Sequence, residues 1–135
     1  MVTKNPERTL IVILGAGRTG TSLLVNILEK LGMTVSDEMT LPSEQNIDGG
    51  FEDTEIFNVH SRILKILNTN QLTPLPENWL DNDELEEPKK QLEEIVTKRI
   101  ESSKTIFGFK DPRTVLFLPL WRRIFNKLKI RPVYI

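Results

Sequence analysis

The sequence contains no cysteine and a single histidine among its 135 residues. Without cysteine, the chain can form no disulfide and offers no thiolate to a metal ion. One histidine also excludes a histidine-rich metal centre. No hydrophobic run approaches the length of a membrane span, and residues 1–9 lack the apolar core of a signal peptide. We therefore expect a cytoplasmic protein without a membrane span.

The composition is that of an ordinary globular protein, with 39% hydrophobic residues, 27% charged residues and a net charge of −1. The length indicates a single domain over residues 1–135, or part of a larger one. Charge is unevenly distributed, because residues 36–101 carry 16 acidic and 6 basic side chains, whereas residues 104–135 carry 8 basic and 1 acidic. The basic segment could help to hold an anionic ligand. It has no aromatic-studded basic stripe, so we expect no nucleic-acid partner.

The stretch from Thr9 to Gly32 has the pattern of a strand, a glycine loop and a helix. Leu10 to Leu14 is a short apolar run that predicts a buried strand, and Gly15 to Ser22 reads GAGRTGTS. The residues predicted to form the apolar face of the following helix are Leu23, Leu24, Ile27, Leu28 and Leu31. Gly32 stands where a helix-ending glycine belongs. Free N–H groups and the helix dipole make such a loop an anion site.

The rest of the chain alternates helices with strands. Helices are predicted from Asp53 to about Leu67, from Asp83 or Glu84 to about Ser102, and from about Leu118 onward. Strands are predicted at Met33–Val35, Thr105–Phe109 and Arg131–Ile135. This alternation predicts an α/β fold with a parallel sheet and helices on both faces. Because a parallel sheet that ends on a strand lacks its last covering helix, we expect the sequence to be the front part of a longer domain.

One interpretation of the loop is a dinucleotide-binding site. Gly15, Gly17 and Gly20 match G-x-G-x-x-G, and Asp37 or Glu38 lies near the distance of a ribose-binding acid. The predicted second strand is very short, however, and acidic helices and loops follow where two more strands are expected.

A second interpretation is a nucleotide kinase or NTPase. Gly15, Gly20 and Ser22 fit the frame of the nucleotide P-loop, and Asp111 after a strand could imitate its second metal-binding acid. The lysine of that loop is missing, because position 21 is Thr.

The third interpretation explains these departures. The run Arg18, Thr19, Gly20, Thr21, Ser22 resembles the 5′-phosphosulfate loop of the sulfotransferase family, in which several members carry Arg where the cytosolic enzymes have Lys. Further similarities are GGFED at 49–53, FGFKDPRT at 107–114, LPLW at 118–121 and the terminal RPVYI. The resemblance covers most of residues 10–135. It implies a P-loop-NTPase-like three-layer α/β/α fold and sulfonate transfer from 3′-phosphoadenosine 5′-phosphosulfate (PAPS) to a hydroxyl or amine.

The resemblance also implies roles for individual residues. The cofactor-binding residues are Gly15, Ala16, Gly17, Arg18, Thr19, Gly20, Thr21 and Ser22. Arg18 and Lys110 are expected to stabilise the leaving group, and Glu52 resembles an acid of bacterial relatives that acts as general base. No metal is required, because a sulfonate carries less charge than a γ-phosphate. His60 is expected to be packed rather than catalytic.

Some expectations complete this interpretation. One of the loop hydroxyls is expected to cap the following helix, and Asp111 is expected to pair with Arg113. By resemblance, the residues that grip the 3′-phosphate lie beyond residue 135. The chain alone could therefore be a truncated, inactive anion-binding module. The acceptor, a small molecule or a carbohydrate, cannot be identified from the sequence.

Overall fold

Three parallel strands and four α-helices make up the part of the chain that the structure describes. The computed structural model describes residues 8–37, 39, 50–102 and 105–135. Its strands are β1 (Thr9–Ile13), β2 (Ile106–Lys110) and β3 (Val133–Tyr134). Its helices are α1 (Thr21–Lys30), α2 (Thr54–Ile66), α3 (Glu86–Ser102) and α4 (Leu118–Leu128). The expected α/β class with a parallel sheet is confirmed.

The central strand is β1, in a sheet of order β2–β1–β3. Ile13 at the end of β1 pairs with Lys110 at the end of β2. After α1, Thr34 forms a parallel bridge with Phe107 of β2. The strand predicted at Met33–Val35 is therefore reduced to one bridge, on the side of β2 away from β1. The chain leaves β1 towards that side and later returns to pair β3 with the opposite edge of β1, so the strand order reverses at β1.

The two faces of the sheet are covered by different helices, because side chains alternate along each strand. One face packs against α2, α3 and α4 in the main core, to which the sheet contributes Leu10, Val12, Phe107 and Phe109. The other face packs against α1 in a smaller cluster around Ile13, Val25 and Met33. The described residues thus form three layers, with α1 on one side of the sheet and the remaining helices on the other.

Helix α1 buries only part of the face that its leucines predicted. Leu24 and Leu28 pack against the smaller cluster as expected. Leu23, Ile27 and Leu31 are exposed, whereas Thr21 and Val25 are buried. At 100° per residue, the buried face is rotated by about 80° from the predicted one.

Helices α2, α3 and α4 begin close to their predicted positions for identifiable reasons. The Asp53 carboxylate caps α2 by accepting hydrogen bonds from the backbone N–H groups of Glu55 and Ile56, at 3.1 and 3.3 Å. Pro88 and Pro119 lie in the first turns of α3 and α4, where a missing N–H costs nothing. The apolar faces of these helices point to the core, and Ile56, Ile63, Leu92, Trp121 and Ile124 are fully buried.

Within the described residues, no helix is long and apolar enough to cross a membrane. The predicted leader, residues 1–8, lies almost entirely outside the described part of the chain, as does most of the polar loop predicted at residues 36–50.

Candidate functional site

The glycine loop lies at the point where the strand order reverses. It follows β1 directly, and the carboxyl ends of β1 and β2 meet there through the Ile13–Lys110 pair. In open α/β sheets, ligands bind outside the carboxyl ends of the strands at such a reversal. The topology therefore places the loop, Lys110 and the beginning of α1 around one crevice.

The loop conformation depends on Gly15. A Cβ atom there would lie 2.6 Å from Thr21 Cγ2 and 2.9 Å from Thr19 Oγ1, so only glycine fits. Arg18, exposed at the loop tip, holds a left-handed backbone with φ of 68°. That conformation is unfavourable for a residue with a side chain, and functional sites are among the places where such residues cluster.

No side chain caps α1 among the described residues, which corrects the expectation of a hydroxyl cap. Its N-cap is Gly20, with φ of 85° and no side-chain hydrogen bond. The Thr19 hydroxyl donates instead to the carbonyl of Ala16, at 2.7 Å. The first turn also carries no acidic residue. Among the described residues, no side chain therefore caps the amino end of α1, whereas the Asp53 carboxylate caps α2. This end of α1 suits an external anion.

Gly15→Ala and Gly17→Ala form a matched pair for testing this loop. Nothing lies within 4 Å of a Cβ atom at Gly17. We therefore expect Gly15→Ala to lower the free energy of unfolding by about 1–3 kcal/mol through overpacking. Gly17→Ala should stay within about 0.5 kcal/mol of the wild type. Urea denaturation measures both values, and equal losses would contradict the loop geometry.

Lys110 joins the end of β2 to the first turn of α1 and to the segment before α2. Its ammonium group donates to Ser22 Oγ at 3.1 Å, to the Gly50 carbonyl at 2.9 Å and to Glu52 Oε1 at 2.5 Å. The Ser22 hydroxyl donates in turn to the Gly50 carbonyl, at 3.1 Å. The Lys110 side chain is 4% exposed and that of Glu52 is 12% exposed. Three residues singled out from the sequence, Ser22, Glu52 and Lys110, therefore meet in one nearly buried cluster.

The segment that carries Glu52 is held at both ends. Asp53, 1% exposed, caps α2 and accepts a hydrogen bond from Arg99 of α3. On the other side, Gly50 and Phe51 both have left-handed backbones, with φ of 97° and 65°. For Phe51, this conformation costs roughly 1–2 kcal/mol, which the hydrogen bonds to Gly50 and Glu52 help to offset.

A second, fully buried polar cluster follows Lys110 directly. Asp111 Oδ1 accepts from the backbone N–H and Nε of Arg113, at 2.9 and 3.0 Å. Asp111 Oδ2 accepts from Arg113 Nη2 at 2.8 Å and lies 2.9 Å from His60 Nδ1. Trp121 Nε1 donates to His60 Nε2 at 3.0 Å, which fixes the His60 tautomer with its proton on Nδ1. The expected Asp111–Arg113 pair is present, and it ties β2 to α2 and α4.

The buried cluster has defined protonation states. Burial lowers the pKa of His60, despite the opposing effect of the Asp111 carboxylate. Burial acts to raise the pKa of Asp111, but hydrogen bonds and charge from His60 and Arg113 outweigh it and leave that pKa well below the ordinary value. His60 is therefore neutral and Asp111 ionised near pH 7. With both ring nitrogens engaged and no exposed surface, His60 cannot reach a substrate proton.

The hydrogen bonds of Asp111 argue against the metal-binding role that the NTPase interpretation gives it. Each of its oxygens already accepts two hydrogen bonds, so no lone pair is left to face a cation in the crevice. The residues described contain no group of three or more His, Cys, Asp or Glu side chains placed to hold a metal ion.

A groove of about 420 Å³ lies between α2 and α3 and is lined by Glu55, Glu94 and Lys98 among others. It includes no residue of the glycine loop.

Sequence reasoning missed two features of this site. It did not anticipate that the Gly50 carbonyl would accept hydrogen bonds from both Lys110 and Ser22. It also treated Asp111 as a local partner or a metal ligand, not as the centre of a buried network. The Gly-Gly pair before Phe51 was the available signal for the first, since it marks unusual backbone conformations.

Comparisons of the chain with protein-family models, with curated proteins and with solved structures give no match. The fold and the site accordingly define an α/β protein with a glycine loop at the strand-order reversal. Any narrower assignment depends on the chemistry of the site.

Proposed function

We propose that the protein transfers a sulfonate group from PAPS to a hydroxyl or amine of a small molecule or carbohydrate. The observation that supports this proposal is the cluster of Ser22, Lys110 and Glu52 beside the glycine loop. It combines hydrogen-bond donors, a buried cation and a carboxylate at one point. Leaving-group stabilisation and proton removal require these groups and no metal ion.

The residues present fit the donor's 5′ end. The loop Gly15–Ser22 and the uncapped amino end of α1 offer N–H groups to phosphate oxygens, and no acid stands in the first turn to repel them. When bound, PAPS supplies an activated sulfonate, whose sulfur–oxygen bond to the 5′-phosphate breaks as sulfur joins the acceptor oxygen or nitrogen. Lys110 and Arg18 are assigned to the charge on the leaving phosphate, and Glu52 to the acceptor proton.

Two structural features argue against the alternatives. In dinucleotide-binding folds of the Rossmann order, the strand after the first helix pairs with the first strand. Here Thr34 instead bridges to β2, on the side away from β1. A nucleotide kinase or NTPase would need Asp111 or an equivalent acid at the metal, and the Asp111 oxygens are occupied by Arg113 and His60.

Ligand selectivity tests the proposal directly. We expect adenosine 3′,5′-bisphosphate to bind at least tenfold more tightly than ATP or NAD, a difference of about 1.4 kcal/mol. We also expect its affinity to be the same with and without EDTA. Calorimetry with the three ligands measures this, and transfer from labelled PAPS to a panel of alcohols and amines follows. Tighter NAD binding, or ATP binding only with Mg²⁺, would contradict the proposal. Bisphosphate binding without transfer would identify an anion-binding module.

A further inference from the structure

The Lys110 ammonium group has no hydrogen-bond donor to spare. It carries three N–H donors, and Ser22, Gly50 and Glu52 accept all three. Any anion that accepts a hydrogen bond from Lys110 must therefore take the place of one of these acceptors. An anion at the amino end of α1 comes close to Lys110, because Ser22 belongs to the first turn of that helix.

Of the three acceptors, Glu52 is the one that an anion would displace. The Gly50 carbonyl is a backbone group, and the Ser22 hydroxyl belongs to the first turn of α1, so neither can move away without moving the backbone or the helix. Glu52 contacts Lys110 through a side chain that can rotate. It also carries the same charge as the incoming anion, so the two repel each other across a nearly buried site.

The backbone around Glu52 is held by contacts other than the one with Lys110. Gly50 and Phe51 are consecutive left-handed residues, and the Phe51 side chain packs against the smaller core cluster. Asp53, immediately after Glu52, stays fixed as the buried cap of α2. The Gly50 carbonyl also keeps its hydrogen bond from Ser22. Displacement from Lys110 is therefore a rotation of the Glu52 side chain.

We propose that Glu52 is an internal competitor for the Lys110 ammonium group, which a bound anion displaces. Lys110 exchanges one hydrogen bond, from Glu52 Oε1 to an oxygen of the anion, and no covalent bond changes. If the proposed transfer reaction is correct, the displaced carboxylate becomes available for the acceptor proton only after the donor is bound. Donor binding would then precede activation of the acceptor, a step that rests on the proposed function.

A double-mutant cycle with two anions tests the competition. Inorganic sulfate and adenosine 3′,5′-bisphosphate are titrated by calorimetry into the wild type, Glu52→Gln, Lys110→Met and the double variant. We expect Glu52→Gln to tighten both anions by about tenfold, and Lys110→Met to weaken them by a similar factor. In the Lys110→Met background, Glu52→Gln should have no effect, because nothing remains to compete for. Glu55→Gln, which removes a neighbouring charge on α2, should change either affinity less than twofold.

The outcomes separate competition from simple repulsion. The same tightening by Glu52→Gln in both backgrounds would show through-space repulsion alone and overturn the proposal, as would unchanged or weaker binding. Absence of sulfate binding in every variant would also overturn it. The NMR chemical shift of the Glu52 carboxyl carbon in the wild type gives a second measurement, which does not depend on whether the variants fold. It should move as sulfate saturates the wild type while that of Glu55 does not, and a constant Glu52 shift overturns the proposal.

The two proposals can fail independently. If Glu52→Gln tightens sulfate but adenosine 3′,5′-bisphosphate binds no better than sulfate, the competition holds and the PAPS assignment fails. If transfer from PAPS occurs but Glu52→Gln leaves donor affinity unchanged, the transferase assignment holds and the competition fails. When both are correct, Glu52→Gln lowers kcat while binding the donor more tightly. A residue that only stabilises the fold would not produce this combination.

Discussion

Replacing Lys110 with methionine is expected to slow sulfonate transfer about 100-fold or more, roughly 3 kcal/mol of barrier. Methionine keeps most of the side-chain volume and removes the cation that lies beside Ser22 and Glu52. Transfer from labelled PAPS gives the rate, and a thermal melt reports whether the fold is intact. Lys98→Met, at an exposed position on α3, is the matched control and should transfer at the wild-type rate.

The same assay applies to Arg18→Ala, with Arg122→Ala on the exposed side of α4 as its control. Because a guanidinium offers a planar fork of donors to phosphate or sulfonate oxygens, we expect a loss of similar size. Wild-type turnover in Arg18→Ala would remove the loop arginine from the reaction. Wild-type turnover in Lys110→Met would remove the cluster at the end of β2.

The second large effect is expected on stability. Asp111→Ala would leave Arg113 and His60 buried without their common acceptor. Removing one partner from a buried ion pair typically costs about 3–5 kcal/mol, because the remaining charge is uncompensated. Urea denaturation at pH 7 measures the change. Asp81→Ala, whose exposed carboxylate lies 3.8 Å from Arg123, is the control and should cost less than about 1 kcal/mol.

A loss below about 1 kcal/mol for Asp111→Ala would contradict the network. The pH dependence gives a second check. Because the pKa of Asp111 is lowered in the folded protein, the carboxylate contributes its full stabilisation above its unfolded pKa of about 4. That contribution declines as the pH falls further, through the lowered pKa of the folded state. The Asp111→Ala variant should lack this part of the acid-induced loss of stability.

The sequence was most informative where structure depends on near neighbours. Asp53 predicted the beginning of α2, and Pro119 predicted the beginning of α4, because caps and first turns act within a few residues. The apolar run at Leu10–Leu14 predicted β1 to within one residue at each end. These features need no knowledge of the tertiary structure.

Features that depend on distant packing could not be predicted in the same way. The leucine pattern of α1 predicted only part of the buried face: Leu24 and Leu28 pack against the smaller cluster. Thr21 and Val25 are buried beside them, whereas Leu23, Ile27 and Leu31 are exposed. Lys110 and Glu52 are 58 residues apart, and no periodicity reveals that they form an ion pair. The hydrogen bond that His60 donates to Asp111 likewise depends on how β2 and α2 are placed relative to each other.

The register of β2 against β1 has a consequence for insertions and deletions. Lys110 points to the same face of the sheet as α1, because it pairs with Ile13, whereas Phe109 points into the main core. A shift of one residue in β2 would turn the lysine into the apolar layer and direct a phenylalanine or aspartate towards Ser22. The sequence of the glycine loop would be unchanged, but the Lys110 ammonium group would no longer lie beside Ser22. An insertion or deletion between α3 and β2 should therefore leave the site intact only if Ile106 still pairs with Thr9.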